Sequence, residues 1–356
     1  MPRMAPRLRV GVVGTGFGSK VQIPVFRAHP RVDLVAVASG RMENARAAAD
    51  RFGIPHAFDD VRALAHSDLD LVSITTPPYL HHAMTIQALA AGRDVLCEKP
   101  MALTIAEAEE MLREAGTRRR VHLMDHELRF NPNRRKIKTL IDGGFIGRPR
   151  HALVTLVGLV RVMPWSWWSD AARGGGILGA LGSHLIDLLR FWLGEIAAVS
   201  GLTRVFTPTR SLPDTGEPRA VTADEFAAVT LEFASGAVGT VVVSAAAAHS
   251  RGPRIEVWGE EGTLALDESE RLWGAARGRD FQDLTEPETL SPPPGMEYPP
   301  LWGLSFARLV DHLAAALLEG GPVSPAATFE DGVQVQRVMD AVRRPDRWSP
   351  IAAPRR

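Results

Sequence analysis

Cysteine is all but missing from this chain: Cys97 is the only one among 356 residues. That excludes an intrachain disulfide and fits a reducing compartment. Cys97 itself reads as a small apolar residue closing a strand. Neither sign of charge is in excess, since 41 acidic side chains face 41 basic ones. No basic run is long enough for a nucleic-acid or membrane-surface footprint, and Arg118-Arg119-Arg120 reads as a solvated helix end. No apolar run reaches the roughly 18 residues that a membrane span needs. Residues 1–9 lack the apolar core of a secretory signal. These absences lead to the expectation of a cytoplasmic protein with no nucleic-acid partner, no membrane partner and no metal site. The length suits about two domains of roughly 100–200 residues each.

What the chain does have begins at residues 8–13, a short β-rich run followed by Gly14-Thr15-Gly16-Phe17-Gly18-Ser19 and then a helical pattern. Strand, glycine turn and helix together make a dinucleotide-site signature. Gly14 permits the tight turn, and Gly16 lets the backbone approach a pyrophosphate at the helix start. The third fingerprint position falls on Ser19, small enough for close helix–strand packing. Pro24 predicts a kink or a short first helix.

An alternating rhythm follows. Strands are expected at residues 32–39, 69–75, 94–97 and 121–124, with helices at 43–52, 80–91 and 103–114. Alternation of this kind means a parallel sheet with right-handed crossovers. Ligands of such sheets bind at the carboxyl ends of the strands. The glycine turn, Ser39, Thr75-Thr76-Pro77 and Glu98-Lys99 therefore fall along one edge. At the end of the second strand, Ser39-Gly40-Arg41 offers a hydroxyl, a flexible residue and a cation where a carboxylate would favour a free ribose hydroxyl. NADP(H) is accordingly favoured over NAD(H). Cys97-Glu98-Lys99-Pro100 holds a lysine charge at a strand end, between an acid and a stiffening proline.

Taken in order, these residues resemble the Gfo/Idh/MocA family of NAD(P)-dependent oxidoreductases. The resemblance rests on the glycine turn, Thr76-Pro77-Pro78 with His81 three residues on, Glu98-Lys99-Pro100, Arg129-Phe130, and the stretch from Gly174-Gly175-Gly176 to Asp187. It covers nearly the whole chain. It implies that Lys99 lies beside the nicotinamide and hydrogen-bonds the reacting oxygen, with Glu98 near the nicotinamide ribose. It also implies that residues 75–78 line the cofactor with His81 close by, although a water-facing position at the helix start is an equal alternative for His81.

After Met124 the alternation stops. A helix is expected at 133–143, a long strand at 150–162, an aromatic cluster of Trp165, Trp167 and Trp168, a loop at 169–176 and a helix at 178–193. Residues 226–233 and 237–245 flank Ala234-Ser235-Gly236, a hairpin signature. Further strands at 254–258 and 262–266, an extended stretch at 281–300 and closing helices at 302–319 and 329–341 complete the pattern. The expected fold class is thus α/β: a Rossmann dinucleotide-binding domain over residues 1–124, then an α+β domain over 125–356 with an open, mostly antiparallel sheet. The resemblance implies that this second sheet often makes oligomer contacts, so a homodimer or homotetramer is expected.

By the same resemblance His184 is the acid/base, a task suited to a side chain titrating near neutrality. Many family members carry an Asp four residues earlier, where this chain has Ala180. Asp187 shares the face of His184 at i, i+3 and is open to several roles: a partner of His184, a substrate contact, or a helix-surface or interdomain ion pair. Arg173 and Asp170 could supply substrate contacts, and Trp168 could stack on a sugar ring. The expected reaction is hydride exchange with a carbinol or carbonyl of a small polyhydroxylated molecule. Two alternatives remain at this level: glycoside hydrolysis with retained cofactor, and a non-catalytic dinucleotide-binding sensor.

Overall fold

A computed structural model describes residues 6–158 and 164–344. Leu8–Val13 (β1) leads through the glycine turn into two short helices, Phe17–Lys20 (α1) and Gln22–Ala28 (α2), separated at Val21. Pro24 sits in the first turn of α2, where its missing N–H costs nothing, so the expected short first helix is observed. Val32–Ala38 (β2), Met42–Phe52 (α3), His56–Phe58 (β3), Val61–His66 (α4), Leu71–Ile74 (β4), His81–Ala90 (α5), Asp94–Cys97 (β5), Ile105–Arg118 (α6) and His122–Met124 (β6) follow. All six strands are parallel, in the order β3-β2-β1-β4-β5-β6. Helices cover both faces of this sheet, so its central strands are nearly continuous apolar runs; β4 is buried at every position. The order reverses between β1 and β4, and a crevice opens there at the carboxyl ends. β3 and α4 escape sequence reading because β3 is a half-exposed three-residue edge and α4 a six-residue turn started by the Asp60 cap.

The second half opens with Pro132–Asp142 (α7), capped by Asn131, and Pro149–Val157 (β7). The far end of the strand expected at 150–162 lies outside the described residues. Ser183–Leu193 (α8), Ile196–Arg204 (β8), the small pair Thr209–Ser211 (β9) and Pro218–Ala220 (β10), Phe226–Phe233 (β11), Val238–Ser244 (β12), Arg254–Gly259 (β13), Gly262–Leu266 (β14), Leu272–Ala276 (β15) and Gln282–Asp283 (β16) come next. Eight of these strands form one sheet, β16-β15-β14-β13-β7-β12-β11-β8, antiparallel at every junction except β12 with β7. Alternate residues such as Val229, Leu231, Val241, Val243 and Val257 point inward against α8, and their neighbours face outward. The chain closes with Pro300–Glu319 (α9) and Phe329–Val342 (α10).

One expectation is corrected here. Two stretches, Ala171–Leu193 and Pro300–Glu319, are long and apolar enough by length and composition to cross a membrane. Charges such as Asp187 and Arg190 interrupt the first, so it contains no unbroken apolar run of that length. Its most apolar window is 83% buried inside the protein. On α9, Phe306, Leu309, Val310 and Leu313 pack in one cluster with Phe26 of α2 and Val10 of β1. The segment leading into α10 likewise returns to β6, where Met124 N–H donates to Ala327 O at 2.8 Å.

Candidate active site

The glycine turn is tied down by its neighbours on the sheet. Gly14 N–H donates to Ala38 O at 2.8 Å, and Thr75 Oγ1 donates to Gly14 O at 2.9 Å. Gly14 has φ +111°, and a Cβ there would lie 2.6 Å from Thr75 Oγ1. The glycine demanded by close packing is Gly18 rather than position 19, because its Cβ would also fall 2.6 Å from Thr75 Oγ1. Around Gly16, by contrast, no heavy atom lies within 4 Å of a built Cβ. That combination, two glycines jammed against Thr75 just after β4 and one facing open space, fits backbone approach by a dinucleotide's phosphates. Thr15 Oγ1 reaches Ser39 Oγ at 3.1 Å and joins the turn to the end of β2. Phe17 packs edge-on against Tyr298 at 5.2 Å. Gly40 is exposed with open space beside it, and Arg41 is exposed at the start of α3.

Further along the edge, Thr76 Oγ1 faces Met84 Sδ at 3.5 Å, and Pro77 starts a short turn into α5. His81 neither meets water nor offers a free nitrogen to a cofactor. It is fully buried, with Nδ1 2.9 Å from Pro100 O and Nε2 2.7 Å from Thr76 O. Burial holds its pKa below the ordinary value. It therefore fastens the Thr-Pro loop to the Glu-Lys-Pro segment, a correction to its expected place on the cofactor. Glu98 also faces inward: Gln22 Nε2 donates to its Oε1 at 3.0 Å and to Asp125 Oδ2 at 2.7 Å, while Ser73 Oγ donates to Gln22 Oε1 at 2.5 Å.

Lys99 projects from this edge toward the second half. Residues Leu178–Gly182, just before α8, wind as a π-helical turn, a form that displaces carbonyls from the regular ladder. Ala180 O accepts from Lys99 Nζ at 3.0 Å. Gly179 lets this turn approach Pro100, whose Cγ would be 3.3 Å from a Cβ there. His184 follows one turn later, 1% exposed, with His126 and Trp302 rings at 5.4 and 5.1 Å. Burial, then the Lys99 charge, hold its pKa well below the usual imidazole range. Nδ1 lies 3.7 Å from Glu127 Oε2.

Asp187 is the second correction. It is fully buried and accepts two hydrogen bonds from Arg129, Nε to Oδ2 at 2.8 Å and Nη2 to Oδ1 at 2.5 Å. Arg129 also pairs with Asp331, which takes a further bond from Arg190. With both oxygens so engaged, Asp187 is not available to substrate. Trp168 and Arg173 lie on the loop just before the π-helical turn. The loop carrying them folds over the Thr-Pro loop, since a Cβ on Gly174 would sit 2.5 Å from Pro78. Trp168 is 39% exposed, and the Arg173 guanidinium lies 5.8 Å from the Tyr79 ring and 3.5 Å from Asp170.

Sequence reading missed Gln22, Asp125, His126, Glu127, Arg134 and Trp302. The signal was present: Asp125-His126-Glu127 follows β6 directly, and the same carboxyl-edge rule that selected Glu98 applies to it. Three carboxylates meet here, Glu98, Asp125 and Glu127. Burial and then the Glu98 charge push Asp125 well above the usual carboxylate range and Glu127 up to about 8.

This is the arrangement of a dinucleotide edge facing a helix with a buried imidazole, and comparison with known proteins agrees. The profile of the oxidoreductase family with an NAD-binding Rossmann fold, GFO_IDH_MocA, matches residues 8–126, and that of the GFO/IDH/MocA C-terminal domain matches 134–265. The chain belongs to the Gfo/Idh/MocA oxidoreductase family. Among family relatives, levoglucosan dehydrogenase of Pseudarthrobacter phenanthrenivorans is 30% identical over 94% of this chain and 95% of its own. D-apiose dehydrogenase of Paraburkholderia graminis is 30% identical over 94% of this chain and 86% of its own. The structure of a levoglucosan dehydrogenase in complex with NADH and levoglucosan superposes with a TM-score of 0.84, at 29% identity over 94% of this chain and 96% of that one.

Proposed function

We propose that this chain is a nicotinamide-dependent oxidoreductase acting on a hydroxyl or carbonyl carbon of a sugar, cyclitol or similar polyhydroxylated molecule, with Lys99 and His184 at the reacting oxygen. The observation that carries the reading is the hydrogen bond of Lys99 Nζ to Ala180 O, one turn before His184. It brings a cation from the first half against the helix that bears the imidazole. Relatives named for sugar dehydrogenation, and one titled with NADH, support the reaction class.

The bound nicotinamide would supply a hydride acceptor or donor at C4. Lys99 carries three N–H donors and spends one on Ala180, which leaves two for the substrate oxygen, where they stabilise developing negative charge. His184 takes the hydroxyl proton during oxidation and returns it during reduction. The rings of His126 and Trp302 keep water from it, and one of them must turn aside to admit substrate. Trp168 offers an aromatic face and Arg173 a cation at the entrance. The Ser39-Gly40-Arg41 turn favours NADP(H) over NAD(H), and the outer face of the eight-stranded sheet favours self-association.

Lys99→Ala tests the reading. With levoglucosan, D-apiose and related polyols screened as substrates, kcat should fall by roughly 10²–10³-fold, the scale of losing one charge-stabilising donor. Cofactor binding, followed by fluorescence, should persist. Turnover like that of the unsubstituted protein would end the assignment.

A further inference from the structure

Unmatched buried polar atoms around His184, among them also His126 Nδ1, Asp125 Oδ1 and Arg134 Nε, carry a further step. His184 Nδ1 and Nε2 and Glu127 Oε2 are all buried, and none has a hydrogen-bond partner. Nδ1 and Oε2 face each other at 3.7 Å, a small displacement from contact. Buried polar atoms of this kind are rarely left unmatched. Glu127 comes from the short turn Glu127–Phe130 after β6, and His184 from α8, so the two halves of the molecule meet in this pair. Ala180 provides no carboxylate, and Asp187 is committed to Arg129.

We propose that Glu127 is the positioning residue of His184, setting which ring nitrogen carries the proton and so whether Nε2 can act as a base. This rests on the reading of His184 as the acid/base group. When Glu127 is protonated, its carboxyl O–H donates to Nδ1, the ring proton sits on Nε2, and no lone pair faces the substrate. Loss of one proton from the pair leaves a carboxylate that accepts from Nδ1–H and frees the Nε2 lone pair. Nε2 then takes the substrate hydroxyl proton, and the resulting imidazolium is stabilised beside the Glu127 carboxylate. The charged and titratable groups around the pair are Glu98 and Lys99 at the end of β5, Asp125 and His126 on the same turn, and Arg134 on α7. Burial and the Glu98 charge oppose ionisation of Glu127, whereas Lys99 and Arg134 assist it, and its ionisation is pushed up to about 8.

Histidine-selective 15N NMR of the full chain distinguishes the two tautomers without any substrate, with His184→Asn used to assign the signal. From pH 6 to pH 9.5, His184 should pass from the Nε2–H to the Nδ1–H tautomer with a midpoint at about 8. Glu127→Gln preserves shape and removes the titration, so the tautomer should then be constant over that range. A switch that survives in Glu127→Gln, or no switch in the unsubstituted protein, overturns the proposal. Where a turned-over substrate is in hand, the rising alkaline limb of kcat for oxidation should vanish in Glu127→Gln while KM changes little. A normal tautomer switch with inactive protein would instead count against the acid/base role of His184, so the two failures are separable.

Discussion

At the scale of single residues, Asp187 shows what spacing can and cannot reveal. Its i, i+3 relation to His184 is visible in the chain, but its partner Arg129 lies 58 positions away. The side chains are 6% and 1% exposed, so the pair and its Asp331 and Arg190 neighbours form a buried ionic network. Removing one member leaves an uncompensated charge in the interior, a cost of about 3–5 kcal/mol. Asp187→Ala should therefore lose about that much stability in denaturant unfolding, whereas Asp311→Ala, at a side chain 83% exposed and paired only with His29, should lose little. Equal losses would show that the network contributes no more than a surface pair. Lys99 was legible because its motif sits at a strand end, a place that topology makes chemical. His81 and Asp187 were not, because only tertiary packing selects between solvent, substrate and a buried partner.

Individual elements were legible where they are long or strongly patterned. The strands around Val10, Val72 and Leu96 read as apolar runs, and the α6 start is marked by the Thr104 and Glu107 capping box. The helix expected at 178–193 is two things, a π-wound turn and then α8, a distinction that residue pattern does not encode. β8 was also unreadable: its pattern of partly exposed small residues belongs to a sheet-edge strand. The turn between β2 and α3 is the element on which cofactor choice depends. Among the described residues the Arg41 side chain makes no hydrogen bond or ion pair, while its backbone carbonyl accepts from Asn44 and Ala45 N–H, so the guanidinium is available to a ribose phosphate. One opposing charge is close in sequence order on the sheet, since Ser39 N–H donates to Phe58 O and Asp59 follows. Arg41→Ala weighs the two. Losing a charge-assisted hydrogen bond of about 1.5–3 kcal/mol should raise the NADPH Kd by roughly 10-fold or more. NADH binding should be nearly unchanged, and equal weakening of both would remove the phosphate role.

For the whole molecule, the packing of α9 and α10 back onto the first sheet makes the two halves one body around the site. It was not legible from a linear pattern, because the contacts span from Val10 to Leu313. What this packing leaves over is the outer face of the second sheet. An antiparallel sheet with one solvated face should alternate apolar inside with polar outside. Here the outward positions include Leu153, Val242, Val238, Trp258 and Trp273. They lie on adjoining strands: Leu153 pairs with Glu256 and with Thr240, and Val242 pairs with Thr155 and with Ala228. Val238 is 40% exposed, and the Trp258 ring stacks on His151 at 4.3 Å. Apolar positions interleaved with Glu256, Thr240 and Thr155 have the mixed composition of an association surface, and a stable dimer buries about 1,200–2,000 Å² in total. Light scattering on the purified chain at micromolar concentration should therefore give a dimer or tetramer. Val242→Lys places a charge at the centre of the face without touching the inward core, and should yield a folded species of lower mass. A monomeric unsubstituted protein, or a Val242→Lys variant that keeps the same mass, would move the association surface elsewhere.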